Sequence, residues 1–551
     1  MVEGTGFENR RRVKPTGGSN PSPSATIKAQ RAGWRERVPI VSSASQDYLR
    51  GVPGSRRKGI LMQERVLGFV VVLLLILAPG VSADEDASKQ PASKAPPKRH
   101  IVIRNVDVFD GVNEELQRGV DVLVGDNLIV AVQKGIKAPE GAAEIDGGGR
   151  FLMPGLHDMH THVSIFRPVP QKMRIDMDPF HIGAVAAARA RGMLMNGFTL
   201  IRDIGGPAKY LQRVVDAGLV PGPRVLPTEA FISQTSGHGD FRNRNDVPHP
   251  NAASGSRHFV DTYFGAIADG VPECIRATRE SLRLGATQIK IMGTGGVASE
   301  FDPLHGVQFL PEEIRAIVET AKTWKTYVAS HCFTDEGIRR AVENGVMCIE
   351  HGPLMSEESA KLLAEKGVWL VPSLAATMNV DWDEFEKISS PATLAKAKKV
   401  AAGNPKAIRA AVKHKVKMAF GTDLLSNWEN SVEYDREMNL EFKYWAQFVP
   451  NVEALRLATS HAAELARLSG PNNPYQDGPT GVIKPGAYAD LILIDGNPID
   501  DIMVMTKPQK NFKLIMKDGV IYKNTLLREM FSPELRRAIK KLEPHMPGSY
   551  R

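Results

Sequence analysis

The sequence predicts an α/β protein, a (β/α)8 barrel of the TIM type with a small β-sandwich domain built from both chain ends. Two observations carry that expectation. Over residues 151–477 short apolar runs alternate with helical stretches such as Pro311–Lys325 and Asp335–Asn344. Such alternation over roughly 320 residues is the pattern of parallel strands closed into a barrel. On either side the texture changes to period-two runs, His100–Phe109 and Val120–Val132 before it, Ala489–Ile494 and Phe512–Lys517 after it. Runs of that kind are strands of a small antiparallel sheet. Two strand-rich flanks on one barrel pair most simply with each other.

The elements follow in chain order. Residues 1–61 are rich in Ser, Gly, Pro and Arg with no sustained apolar period, a disordered basic extension. Met62-Gln-Glu-Arg65, the apolar run Val66–Ala78, the breakers Pro79-Gly80 and the small-residue end Val81-Ser82-Ala83 spell a signal peptide, 62–83, cleaved after Ala83. The apolar run is shorter than the roughly 20 residues that span a bilayer, so a stable membrane anchor is not expected. A signal peptide opens a chain, which makes Met62 the expected natural start and assigns the protein to the periplasm or the medium. Residues 84–99 form a polar linker, and residues 100–150 and 478–525 the composite sandwich. Within the latter, Asp518-Gly519 between apolar runs is a hairpin turn. Residues 526–551 are a tail in which Phe531–Leu542 reads as a basic helix.

Composition narrows the function. With 551 residues, 42% hydrophobic and 24% charged, the chain is globular, and three cysteines exclude a disulfide scaffold. The net charge of +8 suggests a polyanion partner until it is located: residues 1–61 hold 12 Lys/Arg against four acids, a surplus equal to the whole. The remainder is formally neutral, so no nucleic-acid partner is expected.

The chemistry-bearing residues sit at the ends of apolar runs. His160 and His162, at i and i+2 in Pro154-Gly-Leu-His-Asp-Met-His160-Thr-His162, point to one face of a strand, where two imidazoles can bind a divalent metal. His331 and His351 end later runs, Asp423 ends Met418-Ala-Phe-Gly-Thr-Asp, and Lys290 lies inside an apolar strand, where an unpaired ammonium is costly. Their spacing fits strands 1, 4, 5, 6 and 8 of a barrel, whose active sites collect at the C-terminal strand ends. His238, in a Gly-flanked loop after the third strand, is a further candidate. Arg202 and Asp203 end the second strand, while Tyr263 and His305 lie in loops. Strand alternation turns Cys332 off the face that carries His331, and Cys348 likewise points elsewhere.

At these residues the chain resembles the metal-dependent amidohydrolase superfamily, most closely its imidazolonepropionase-like and prolidase-type branch; ochratoxin-type amidohydrolases are also similar. The match is carried by PGLHDMHTH (154–162), IRDIGG (201–206), SQTSGHGD (233–240), IKIMGTGGVAS (289–299), SHCF (330–333), IEHG (349–352) and GTD (421–423). ATSHAAELARL (458–468) and GVIKPGAYADLILIDGNP (481–498) extend it through the return to the sandwich. The resemblance implies two divalent metal ions, zinc above all given the His-rich ligation. His160, His162 and Asp423 would hold one and His331 and His351 the other, with N6-carboxylated Lys290 bridging them. It further implies a metal-activated hydroxide as nucleophile, Asp423 as base and then acid, and His238 at the carbonyl oxygen. The implied substrate is a dipeptide-like or N-acyl amino acid amide, as for a prolidase or metallo-carboxypeptidase. The alternative is a cyclic imide, lactam or ochratoxin-like aryl amide. Homo-oligomers are expected from the same resemblance. Phe333, second after His331, departs from many relatives.

Edman sequencing of the exported product is expected to read Asp84 first; a mature chain beginning near Met1 refutes both the signal peptide and the start at Met62.

Overall fold

The computed structural model describes residues 99–167, 178–242, 263–427 and 437–526. The basic extension, the signal peptide, all but the last residue of the linker and the tail beyond Leu526 lie outside them. Five strands come first: β1 (His100–Val108), β2 (Gln117–Gly125), β3 (Leu128–Gln133), β4 (Ala143–Asp146) and β5 (Phe151–Pro154). The run Val120–Val132, expected as one strand, is broken between β2 and β3, where Asp126 takes a left-handed φ of 53° and turns the chain into an antiparallel pair.

The barrel begins with β6 (Leu156–Thr161), and β7 (Phe166–Arg167) lies in the loop behind it. It continues through β8 (Phe198–Asp203), β9 (Arg224–Pro227), β10 (Phe231–Ser233), β11 (Gly265–Ile267), β12 (Ile289–Met292), β13 (Val328–Thr334), β14 (Cys348–Leu354), β15 (Trp369–Val371) and β16 (Lys417–Met418). The short β17 (Ser426–Asn427) pairs with β7. Between the barrel strands run α1 (Pro179–Met195), α2 (Ala208–Asp216), α3 (Val271–Leu284), α4 (Pro311–Thr323), α5 (Asp335–Glu343), α6 (Glu357–Lys366), α7 (Leu374–Met378), α8 (Trp382–Ile388) and α9 (Pro391–Lys413). Their starts are legible locally. Pro311 opens α4 behind a Glu313 carboxylate that accepts the Leu310 N–H at 2.6 Å, and Ser356 Oγ caps α6 at 3.1 Å.

All barrel pairings are parallel. β6, β8 and β9 form one run, while β10, β12, β13, β14, β15 and β16 form the other. The third strand is split, β9 pairing with β8 and β10 with β12. Thr287 N–H bridges back to Pro227 O at 2.7 Å, and the circuit closes where Met159 N–H donates to Phe420 O at 2.9 Å. These links join the two runs and gather the C-terminal strand ends at one mouth.

The chain returns through β18 (Leu491–Ile494), β19 (Phe512–Lys517) and β20 (Val520–Asn524). The sheet order is β20-β19-β18-β5-β1-β2-β3, with β4 beside β1. Residues 486–489 exchange hydrogen bonds with Asn127 and Ile129, so this sheet folds over on itself into the sandwich made from both chain ends. The Asp518-Gly519 hairpin has positive φ at both residues (56° and 67°), as a two-residue type I′ turn requires. β5, expected inside the barrel segment, pairs with β1 and β18 instead, so the sheet reaches to Pro154 and the barrel starts after Gly155.

β18 reads as a continuous apolar run because both of its faces are buried. Leu491 and Leu493 enter the sandwich core, whereas Ile492 and Ile494 pack against the barrel. The same seam holds Arg224 of β9, whose guanidinium donates to both Asp490 oxygens (3.1 and 3.0 Å) and to Asp518 (2.7 Å), with the Tyr488 ring centroid 4.1 Å away. Removing the cation strands a buried carboxylate. Arg224→Met is expected to cost about 3–5 kcal/mol in urea unfolding; a loss under about 1 kcal/mol refutes the seam's dependence on this pair.

Candidate active site

His160 and His162 end β6, Lys290 lies on β12, His331 on β13 and His351 on β14, and Asp423 follows β16. All six line one cleft of about 140 Å³ at the barrel mouth, joined by His238 from the loop after β10. Asp423 is centred among imidazoles: Oδ1 lies 3.4 Å from His160 Nε2 and 3.5 Å from His162 Nε2, and Oδ2 lies 3.8 Å from His351 Nδ1. The His331 and His351 ring centroids are 4.8 Å apart and those of His160 and His351 4.7 Å. The ligand atoms of His160, His351 and Asp423 lie within 4.8 Å of one another, close enough for one metal ion.

Two of these residues hold a backbone conformation that non-glycine residues rarely adopt, His351 with φ 71° and Asp423 with φ 50°. Asp423 is kept there by its own N–H, which donates to His160 O at 2.8 Å, so a bond between the first and eighth strand ends also aims the carboxylate.

Two of the histidines have a partner behind them. His160 Nδ1 lies 2.7 Å from Glu350 Oε2, and the other Glu350 oxygen accepts from Arg202 at 2.7 Å, all three side chains being buried. With Nδ1 donating to a carboxylate, Nε2 is the nitrogen turned to the cleft. His162 Nδ1 faces Gly205 O at 3.2 Å. The Asp158 carboxylate accepts from His160 N–H (3.0 Å), Thr422 N–H (3.0 Å) and Thr422 Oγ1 (2.7 Å), which ties the first and eighth strand ends together. Asp203 accepts from Val163 N–H at 2.7 Å, and Arg189 of α1 donates to the carbonyls of His162, Val163 and Ile165, so the loop after β6 is held from two sides.

Burial governs the electrostatics. It drives His162 down to about 3 and His160, His331 and His351 well below the ordinary histidine value, with Lys290 adding to each. The imidazoles are therefore neutral at pH 7, the form that ligates metal. Burial also lowers the Lys290 ammonium, against the pull of Glu350 and Asp423. His160 Nε2 and His331 Nε2 are buried and make no hydrogen bond among the described residues. Buried imidazole nitrogens without a hydrogen bond, one of them 3.4 Å from the Asp423 carboxylate, fit a bound cation, and the donor set of nitrogens and oxygens suits a divalent metal.

Arg202 and Asp203 lie behind the cleft as supports. Tyr263 and His305 do not line it, and His305 is exposed. The three cysteines are buried and free: Cys332 meets Ser330 Oγ at 3.2 Å, and Cys348 lies 3.2 Å from Glu350. Phe333 does reach the cleft, 4.4 Å from His331 between ring centroids, and Phe231, Phe241 and Met292 line it too. Sequence reading missed Glu350 and Asp158 as partners of the ligand set. A signal existed for Glu350, a carboxylate inside a buried strand, of the same kind that singled out Lys290.

The chain is similar to known proteins over most of its described residues. The family model described as the amidohydrolase family matches residues 151–522. Ochratoxinase of Aspergillus niger is 32% identical over 382 residues, 68% of this chain and 75% of its own. Its crystal structure superposes with a TM-score of 0.66 at 28% identity, covering 78% of this chain and 96% of that one. A prolidase solved with N-methylphosphonate-L-proline gives 0.69 at 35% identity, covering 77% and 100%.

If Glu350 orients His160, Glu350→Gln weakens metal affinity by about 10–100-fold, read by metal analysis after titration with a chelator; retention at the unsubstituted level refutes that role.

Proposed function

This chain belongs to the amidohydrolase family and is a hydrolase; on that premise we propose that it is a binuclear metal enzyme that cleaves the amide bond of a dipeptide-like or N-acyl amino acid substrate. The observation that carries this reading is the convergence of His160, His162, Lys290, His331, His351 and Asp423 on one cleft, with two imidazole nitrogens that make no hydrogen bond among the described residues. His160, His162 and Asp423 would hold one ion, His331 and His351 the other. Lys290 would be the residue shared by the two ions: its neutral amine would add CO₂ and lose a proton to give a carbamate, which offers two oxygens where an ammonium offers no acceptor. The ions supply electrophilic polarisation and bring the pKa of water toward ~7.

The chain's own residues do the rest. As the water oxygen bonds to the carbonyl carbon, Asp423 takes its proton, and it returns that proton to nitrogen as the C–N bond breaks. Its place among three imidazoles keeps it within reach of both partners. His238 faces the same cleft and is assigned to the carbonyl oxygen, where charge develops. The apolar side chains of Ile165, Phe231, Phe241, Met292, Val297 and Phe333 surround the chemistry and receive an apolar side chain. An Xaa-Pro dipeptide suits that lining. The three phenylalanine rings also favour a second reading, an aryl-linked amino acid amide of the kind the name ochratoxinase denotes. The signal-peptide segment is the ground for reading the enzyme as exported; among the described residues no helix is long and apolar enough to cross a membrane.

Hydrolysis of a panel of Xaa-Pro and Xaa-Arg dipeptides, N-acyl amino acids and ochratoxin-type amides separates the two readings, and chelation of the metal is expected to abolish turnover. Asp423→Asn is expected to lower kcat by at least about 100-fold while metal analysis still finds bound ion. Full activity in that variant refutes the proton transfer, and no turnover of any amide by the unsubstituted enzyme refutes the function.

A further inference from the structure

His238 stands at the tip of a loop, outside any strand, so something other than backbone regularity has to aim its ring. The ring is held on every side. One face stacks on His331, with centroids 4.2 Å apart and planes 24° from parallel. Gly296 approaches the ring so closely that a Cβ there would lie 2.1 Å from the imidazole Cε1. Nδ1 lies 2.5 Å from Ser299 Oγ and 3.1 Å from Asp302 Oδ2. The Asp302 side chain is 2% exposed, and its Oδ2 also accepts the Gly296 N–H at 2.8 Å. The His238 backbone N–H donates to Gln308 Oε1 at 3.0 Å. A carboxylate at Nδ1 holds a hydrogen on that nitrogen and leaves Nε2 as the ring nitrogen for substrate; donation from Nε2 to a carbonyl oxygen requires the doubly protonated ring, whose charge Asp302 balances.

Gly296, Ser299 and Asp302 belong to the loop after β12, and one side chain binds that loop at three points. Lys396, on α9, donates from Nζ to Gly296 O at 2.9 Å, Ser299 O at 2.8 Å and Asp302 O at 2.7 Å. An ammonium has three hydrogens, and all three are used. The carbonyls it binds belong to the same three residues that touch the imidazole. Nζ also stands 3.8 Å from Asp302 Oδ1, whose oxygen has no hydrogen bond among the described residues, so the lysine balances the buried charge as well. Lys396 does not line the cleft.

We propose that Lys396 and Asp302 are positioning residues for His238: Lys396 locks the loop at residues 296–302 from outside the cleft, and Asp302 within it sets the imidazole's orientation and the nitrogen it offers to substrate. The helix after the seventh strand thereby controls a side chain delivered after the third. The proposal rests on the cleft being the amide-hydrolysing site.

Its test uses the full-length, metal-loaded enzyme and the variants Lys396→Met, Asp302→Asn, His238→Ala and the double variant His238→Ala with Lys396→Met. Lys396→Met keeps the methylene stem and removes the donors. It is expected to lower kcat on Xaa-Pro dipeptides by about 100-fold, the order of loss that slight misplacement of a catalytic group causes, with KM changed far less and metal content unaltered. Asp302→Asn, which keeps the side-chain shape, should show the same split. In the His238→Ala background, Lys396→Met should cost nothing further, because its effect runs through the ring already removed. Hydrogen–deuterium exchange in Lys396→Met should accelerate in residues 234–240 and 296–302 together and in no barrel strand. Additive losses in the double variant, or wild-type exchange and kcat in Lys396→Met, overturn the proposal. The exchange measurement needs no substrate, so if the unsubstituted enzyme hydrolyses no amide the proposed function fails while the clamp is still judged.

Discussion

Everything at the barrel mouth depends on one buried carboxylate. Glu350 has no exposure, and a carboxylate in that position persists only if charge and hydrogen bonds replace the water it lost. Arg202 provides the charge and spends its remaining donors on Met159 O (2.6 Å) and Tyr327 OH (2.9 Å). Strands β6, β8 and β14, and the residue that leads into β13, are thereby joined across the barrel interior through two side chains. The other Glu350 oxygen is what His160 meets. The ion pair that makes the interior tolerable is thus also the device that orients a histidine of the site.

The same economy recurs around the cleft. The N–H of Asp423 binds His160 O and holds the aspartate in a left-handed conformation beside three imidazoles. Asp158 fastens the first strand end to the eighth, and burial raises its pKa to about 7 against the Thr422 and His160 hydrogen bonds that favour its charged form. Strain and buried charge are concentrated at the strand ends, where they shape the mouth of the cleft. The seam with the sandwich, by contrast, is mostly apolar, with Arg224 and its two aspartates as its charged fastening.

Much of this was legible in the chain because it rests on local periodicity and on residues out of place in their surroundings. Alternating β and α segments announced the barrel, and Asp518-Gly519 announced its hairpin since only certain residues accept two positive φ values in succession. Lys290 stood out as a lysine in an apolar strand. Glu350 is the same anomaly, yet it sits beside His351 and was read as part of that residue's motif. β5 was placed with the barrel because a fully apolar four-residue strand looks the same whichever sheet receives it; its pairing with β1 and β18 is a long-range event with no local mark. The break between β2 and β3 is marked along the chain only by Asp126-Asn127, two polar residues inside an otherwise continuous apolar texture.

The sequence by itself determined the kinds of element, their order around the barrel, and which side chains stand at strand ends, since those follow from spacing along one chain and from the cost of burying polar groups. Only the tertiary structure decided which partner each buried group would meet: Glu350 for His160, Asp302 for His238, and the Lys396 ammonium for three carbonyls about 100 residues away. Hydrogen bonds of that kind are set by angles and by fractions of an ångström between segments distant in sequence, and no pattern along the chain encodes them until the barrel has closed.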